Sequence, residues 1–429
     1  MKDTKTNIRS FVIQAAKDEG RAVDISEGLT SFSYYENIMS NHTTISFSLQ
    51  DSGNSIEKGG QKVSIVEGLP IRGGEKIRFN ILDSNKQSLK LDMYLNKMFN
   101  LDQTTTVDSF RVSGVSREFF SNEMTRVVKR YDGKISENIK SILKDVLDAD
   151  FDDKNIEETS NSYNFIGNDK KPFYIGTWLG SKSIPTEAYG ETAGFFLYQT
   201  QDGMNFRSVD GLLGQSPKRR YVSTDSDSLP AGYDGKILSY ELHRSVDVQS
   251  NLMMGAYNNR TLYFNPYSFV YTHKDYNITE QKNVKHAGGK SEDDWNFIAK
   301  EFTDTTTRLM TNILDVGALP TGKDAKAQLQ AWVDDPDGTN DKVMERMVQS
   351  VMRYNQLFSV TTSITIEGDH TLKAGDVIFC DFPRVSGKPE IDKKSGGKYL
   401  IANLCHYTAP GHTYTQLGLI RDSYGRVNK

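Results

Sequence analysis

From Ile8 to Ser116 hydrophobic and polar residues alternate with the two-residue period of half-buried strands. The clearest run is Thr43-Thr-Ile45-Ser-Phe47-Ser-Leu49, whose alternation puts one face in a core. Ile8–Ala15, Arg21–Ser33, Lys62–Glu67, Lys76–Leu82, Ser88–Phe99 and Val107–Ser116 read as further extended segments, divided by glycine turns at Gly53, Gly59-Gly60 and Gly73-Gly74. From Arg117 the period changes. Phe120, Met124, Val127, Val128 and Tyr131 fall at helical spacing, and Ile135, Ile139, Ile142, Leu143, Val146 and Leu147 form one face of a second helix. Asp148–Asn168 is acidic and Ser/Asn-rich, as a loop would be. Ile175–Leu179 reads as a strand or a helix start, and Gly194–Val209 as a hairpin turning at Asp202-Gly203. Ser216–Gly232 is a polar connection.

Strand signals return in Lys236–Arg244, Val246–Tyr257 and Arg260–Phe264. Ser291-Glu-Asp-Asp294 has capping-box form, and Trp295, Ile298, Phe302, Leu309, Ile313 and Val316 follow at helical spacing up to Gly317 and Pro320. Val343, Met344, Met347, Val348 and Val351 predict another helix. Ser363–Asp422 is an all-strand block. Two stretches repeat. Ile71-Arg-Gly-Gly74-Glu75-Lys-Ile77-Arg-Phe79 aligns without gaps to Leu372-Lys-Ala-Gly375-Asp376-Val-Ile378-Phe-Cys380. Asn37-Ile38-Met39-Ser-Asn is echoed by Asn251-Leu252-Met253-Met-Gly, again ahead of an alternating strand. Two echoes in the same order predict a duplicated β domain. The expected fold is α+β and predominantly β: two duplicated antiparallel barrel or sandwich domains with helical and mixed insertions. Residues 1–116 would form the first β domain and 117–235 a mixed α/β domain. Residues 236–275 and 354–423 would form the second, interrupted by a helical insertion over 276–353.

Composition adds mostly exclusions. A chain of 429 residues is long enough for several cores. A net charge of -4 with both signs interspersed argues against a dedicated nucleic-acid surface, and Lys218-Arg-Arg220 reads as a solvated loop. Cys380 and Cys405 lie in expected strands and read as small buried apolar side chains. No signal-peptide core or 18-residue apolar run occurs, so folding in a reducing cytoplasm without stable membrane insertion is expected. None of the common nucleophile, zinc-protease, phosphate-loop or dinucleotide motifs is present. The seven histidines are scattered. His406 and His412 could face each other across a hairpin turn, with packing or surface roles favoured over ligation. No carboxylate pair stands out, so no catalytic, cofactor-binding or metal residue is predicted.

The order of elements, together with several local stretches, carries a family resemblance. The stretches are the helix start Lys134-Ile-Ser136 after Arg126-Val-Val-Lys-Arg-Tyr131, Gln199-Thr-Gln-Asp202-Gly-Met-Asn-Phe206-Arg-Ser208, Asn265-Pro-Tyr267-Ser-Phe269, Arg353-Tyr354-Asn355-Gln-Leu357-Phe358, Leu372-Lys-Ala-Gly375-Asp376 and Gly397-Lys-Tyr399-Leu400. The chain resembles the central baseplate hub protein of contractile-tailed, T-even-like phages, related to the tube-like part of type VI secretion spike proteins. The resemblance implies two tail-tube-like domains per chain and no enzymatic activity. It implies a homotrimeric ring of pseudo-sixfold symmetry, joining tail-tube proteins to a central spike and forming the channel for DNA ejection. It places the protein in the virion's tail baseplate, assembled in the host cytoplasm, with baseplate wedge proteins around it and genomic DNA in contact only during transit. Because the sequence ends after the second β domain, the spike (of OB-fold/lysozyme or spike type) is expected to be a separate protein. A tail-associated cell-wall or polysaccharide hydrolase is the alternative.

Overall fold

A computed structural model describes residues 7–425 apart from 17–20, 54–55, 59–60, 70, 105, 244–246, 281–283, 289–298, 320, 323, 335–342, 385–389 and 410–411. The N-terminal unit contains β1 (Ile8–Gln14), β2 (Ala22–Asp24), β3 (Leu29–Asn37), β4 (Thr44–Asp51), the ribbon β5 (Ile56–Lys58) and β6 (Gln61–Val63), β7 (Lys76–Leu82), β8 (Ser88–Gln103) and β9 (Asp108–Val115). A mixed segment follows. It holds helices Arg117–Met124, Ile135–Ser141 and Pro172–Gly180, the pair β10 (Arg130–Tyr131) and β11 (Phe165–Ile166), the hairpin β12 (Phe195–Thr200) and β13 (Gly203–Ser208), and helix Val209–Leu213. The C-terminal unit has β14 (Arg220–Val222), β15 (Gly235–His243), β19 (Val360–Glu367), β20 (Val377–Asp381), β21 (Gly397–Ala409) and β22 (His412–Arg421). Between β15 and β19 lie the sheet β16 (Asn258–Asn265), β17 (Val270–Asn277) and β18 (Arg308–Ile313), then helices Ala325–Asp334 and Val343–Leu357.

The two units have one topology. Neighbours run β1-β7-β8-β9-β4-β3 in the first and β14-β20-β21-β22-β19-β15 in the second, so sequence order and spatial order correspond strand by strand. In the second unit β14 also pairs with β15, and β21 with β22, which closes a barrel. Closure removes the exposed strand edges of an open sheet. The irregularities correspond as well. β3 slips against β4 between Leu29 and Ser31, and β15 slips against β19 between Ile237 and Ser239. β8 slips against β9 between Leu95 and Lys97, and β21 against β22 between Ile401 and Asn403. A β-bulge adds a residue and re-aims a strand, so two bulges at matching registers mark a shared backbone and not a shared composition. One difference stands: β1 runs antiparallel to β7, whereas β14 runs parallel to β20.

Alternation placed the cores correctly. Phe11, Phe32, Phe47 and Phe79 converge inside the first unit, with Phe11 and Phe47 ring centroids 4.8 Å apart and Phe32 and Phe79 5.0 Å apart. The second unit continues the same core through Ile364, Ile378, Tyr399, Leu417 and Leu419. A separate core, built on Ile135, Ile139, Leu143, Phe165 and Phe206, holds the mixed segment together.

Several local expectations fail for identifiable reasons. Val246–Tyr257, expected as a strand, contains helix Val248–Met254: the Asp247 side chain accepts from Ser250 N at 2.9 Å, and Gly255 ends the helix at φ +68. A capping carboxylate and a left-handed glycine outweigh weak alternation. Asn251 therefore sits in a helix, while Asn37 ends β3, so the second sequence echo does not join equivalent positions. Leu309 and Ile313, expected on a helix, lie in β18, which pairs in parallel with β16. The threonine run Thr305-Thr-Thr307 ahead of it disfavours helix. The helix beginning at Arg117 stops at Met124, before the β-branched pair Val127-Val128. Of the two readings of Ile175–Leu179, the helix holds: it belongs to helix Pro172–Gly180, with proline in the first turn. The capping box at Ser291–Asp294 and the positions Trp295 and Ile298 lie outside the described residues.

Candidate assembly site at the junction of the two units

The first echo marks a turn that the two units build alike. Gly74 N donates to Leu95 O (2.8 Å) and Leu95 N to Glu75 O (2.8 Å); Gly375 N donates to Ile401 O (2.9 Å) and Ile401 N to Asp376 O (2.9 Å). The acidic residue after each glycine caps its own turn. Glu75 accepts from Arg72 N (2.7 Å) and Gly73 N (2.9 Å), and Asp376 accepts from Lys373 N at 2.9 Å. Gly74 and Gly375 have φ of +83 and +88, in the left-handed region that glycine enters without steric cost.

The turns differ in what surrounds them. A methyl group on Gly74 meets nothing within 4 Å, whereas one on Gly375 would stand 2.2 Å from the hydroxyl of the buried Tyr198. Gly74→Ala should therefore cost about 1–2 kcal/mol, the left-handed penalty alone. Gly375→Ala should cost about 2–5 kcal/mol, because overpacking adds to that penalty. Urea denaturation of the two variants measures the difference.

The units join where β3 pairs with β21, from Asn403 opposite Asn37 to Thr408 opposite Phe32. Within this seam Glu36 is buried, with 2% exposure. Its Oε1 accepts from the Tyr34 hydroxyl (2.8 Å) and Gln201 N (2.6 Å), and its Oε2 from Ala374 N (2.8 Å). Those donors belong to three places: the first unit's own strand, the β12–β13 hairpin and the Leu372–Asp376 turn. Lys373 also pairs with Asp202 across the same contact. One carboxylate thus ties both sequence-marked turns to the first unit. Burial pushes its pKa up to about 7, against the lowering effect of the hydrogen bonds from Ala374, Tyr34 and Gln201.

A second buried centre fixes the long helix Val343–Leu357. Arg353, with 0% exposure, reaches Asp210 Oδ1 with Nη2 at 2.9 Å and Asp422 Oδ2 with Nη1 at 3.2 Å, and it also donates to Lys285 O at 3.0 Å. Asp422 takes further bonds from His286 Nδ1 (2.8 Å) and Ala287 N (3.0 Å). Burial by itself would raise the Asp422 pKa. The hydrogen bond and charge of His286, with the charge of Arg353, hold it well below the usual carboxylate range. Asp210 belongs to helix Val209–Leu213 of the mixed segment and Asp422 lies just past β22, so this guanidinium staples three parts of the chain.

An apolar pocket of about 550 Å³ opens beside these contacts, lined by Met39, Tyr174, Trp178, Phe196, Tyr354 and Phe358 among others. The histidines do not assemble as their spacing suggested. His406 is buried, bonded through Nδ1 to Thr415 at 2.8 Å, and its ring contacts His370 at 4.8 Å, while His412 is exposed at the hairpin end. Burial lowers the pKa of both His406 and His370, which favours their neutral forms. Among the described residues no group of three or more His, Cys, Asp or Glu could hold a metal ion, and no helix is long and apolar enough to cross a membrane. Sequence reading passed over Glu36 and gave Arg353 no role beyond its place in a resemblance stretch. Glu36 did carry a signal: it continues the inward face of Phe32 and Tyr34, where a carboxylate is out of place. Arg353 carried none, because its partners are 143 and 69 residues away.

No protein-family model matches the chain, and no curated protein does. Solved structures do. A tail protein from Neisseria meningitidis aligns with a TM-score of 0.51 at 9% identity, over 96% of both chains. The 43 kDa tail protein of prophage MuSo2 from Shewanella oneidensis aligns with a TM-score of 0.50 at 9% identity, over 96% of this chain and 98% of that one. The chain has the fold of a phage tail protein. An E. coli component of the type VI secretion system, described as similar to the T4 tail proteins gp27 and gp5, aligns less closely, with a TM-score of 0.40 at 9% identity over 94% of this chain and 76% of that one. The tail-protein match covers both units and the segments between them.

Proposed function

We propose that this chain is the central hub of a phage tail baseplate, with no enzymatic activity. Three copies would form a ring of six tube-like units, joining the sixfold tail tube above to a central spike below. We read residues 1–116 as one tube-like domain and 117–235 as a mixed domain bracing it. We read β14 (Arg220–Val222), β15 (Gly235–His243) and β19–β22 (Val360–Arg421) as the second, with the β16–β18 sheet and its helices inserted between β15 and β19, so the second domain is narrower than residues 236–275 and 354–423. The observation that carries this reading is the in-register duplication: corresponding strands, corresponding bulges and one shared turn. Two equivalent units in one chain let a threefold assembly present six equivalent surfaces, which is what a symmetry adaptor requires. The channel would pass DNA during ejection, with baseplate wedge proteins outside the ring. Multi-angle light scattering on the purified chain should return three times the 48.3 kDa subunit mass. A strict monomer, both alone and mixed with tail-tube and spike proteins of the same phage, would reject the hub.

A further inference from the structure

The internal junction uses one strand edge from each unit. On β21 one edge is fully used: β20 covers Gly397–Leu400 and β3 covers Asn403–Thr408. On the matching edge of β8, β7 covers Ser88–Tyr94, but no described strand covers Lys97–Gln103. The complementary gap is on β15. Its counterpart β3 gives one edge to β4 and the other to β21, whereas β15 pairs with β19 along Ile237–His243 and with β14 only at Gly235 and Lys236. Among the described residues, each chain therefore has one unpaired edge of each kind, at opposite units. Unpaired N–H and C=O rows of this sort are templates for another strand.

Side chains at the two edges show what is missing. Phe32 and Tyr34, inward-facing on β3, are 1% and 0% exposed under the cover of β21. The equivalent positions on β15 are Tyr240, 40% exposed, and Leu242, half-buried. Leu404 and His406 are each 1% exposed, while their β8 equivalents are half-buried Met98 and exposed Asn100. Phe99, at 55%, is open as well.

We propose that β15 of one copy pairs antiparallel with the Lys97–Gln103 segment of β8 in the next copy, repeating the β3–β21 register. This rests on the ring reading above and specifies its interface. Cys405 opposite Tyr35 becomes Phe99 opposite His243, and Tyr407 opposite Ser33 becomes Asp102 opposite Glu241. The two edges are different surfaces, so the contact is head-to-tail, and repeating it closes a ring. Asp102 facing Glu241 is a like-charge pair, which weakens the contact.

The register can be read directly. Ile38 N donates to Ala402 O, so by strand alternation the Cys405–Tyr35 pair is a non-hydrogen-bonded one, with its α-carbons at the close spacing that a disulfide spans. In a Cys405→Ser background, Phe99→Cys combined with His243→Cys should give covalent trimers on non-reducing gels under mild oxidation. Phe99→Cys with Glu241→Cys, two residues out of register, should not. Independently, Glu241→Lys should tighten self-association up to about tenfold by making the Asp102 pair attractive. A trimer by light scattering with no cross-link, or with equal cross-linking of the shifted pair, overturns the edge pairing and leaves the ring reading intact. A strict monomer overturns both.

Discussion

Replacing Arg353 with leucine is expected to destabilise the protein by about 3–5 kcal/mol, because Asp210 and Asp422 are then left buried without their cation. The guanidinium contacts both carboxylates with 0% side-chain exposure, so solvent cannot take over its role. A restoring variant separates lost charge balance from lost packing. Arg353→Met combined with Asp210→Asn removes one charge of each sign and should recover part of the loss, whereas packing damage alone would persist. The network also sets a pH response. Asp422 has a folded-state pKa below its unfolded value, so its stabilising contribution is complete above about pH 4 and declines as pH falls further. Thermal melts of the wild type should weaken below about pH 4, and Arg353→Leu should respond less there, since Arg353 is part of what holds the Asp422 pKa down.

The sequence disclosed what depends on local pattern. Alternation identified β4, β7, β8 and β9, the Asp202-Gly203 turn identified the β12–β13 hairpin, and the Gly74-Glu75 and Gly375-Asp376 echo identified equivalent turns with equivalent hydrogen bonds. It failed where a cap or a parallel neighbour decided the outcome, as at Asp247–Gly255 and β18. The strand β14, only Arg220–Val222, was hidden in what read as a polar connection, yet it closes the second barrel. Three residues carry too little pattern to register as a strand; β14 exists because β15 and β20 offer it edges on both sides. The assembly site was legible in parts. Both turns that meet at Glu36 stood out, but their meeting depends on contacts 165 and 338 residues apart, which no local pattern encodes.

Glu36→Gln is expected to flatten the pH dependence of stability between about pH 4.5 and 7. In the wild type, burial raises the Glu36 pKa from 4.5 to about 7, so in that window the folded protein holds a proton that the unfolded chain has released. Stability from this group is therefore greatest below about pH 4.5 and falls as pH rises, by roughly 3 kcal/mol at pH 8. The direction is opposite to that of Asp422, so the two variants remove opposite limbs of the stability profile. Glutamine keeps the shape and cannot ionise, but its amide nitrogen would confront the Ala374 N–H in place of Oε2. The variant should thus begin below wild type at pH 5 and draw level or cross above it by pH 8. Glu36→Ala leaves the Gln201 and Ala374 N–H groups buried without an acceptor, at about 1–3 kcal/mol each, whatever the pH. Urea titrations of the three proteins at pH 5 and pH 8 give six midpoints. If the wild-type and Glu36→Gln midpoints shift equally with pH, the seam carboxylate is not the titrating group. If Glu36→Ala matches wild type at both values, the two turns are held to the first unit by packing alone.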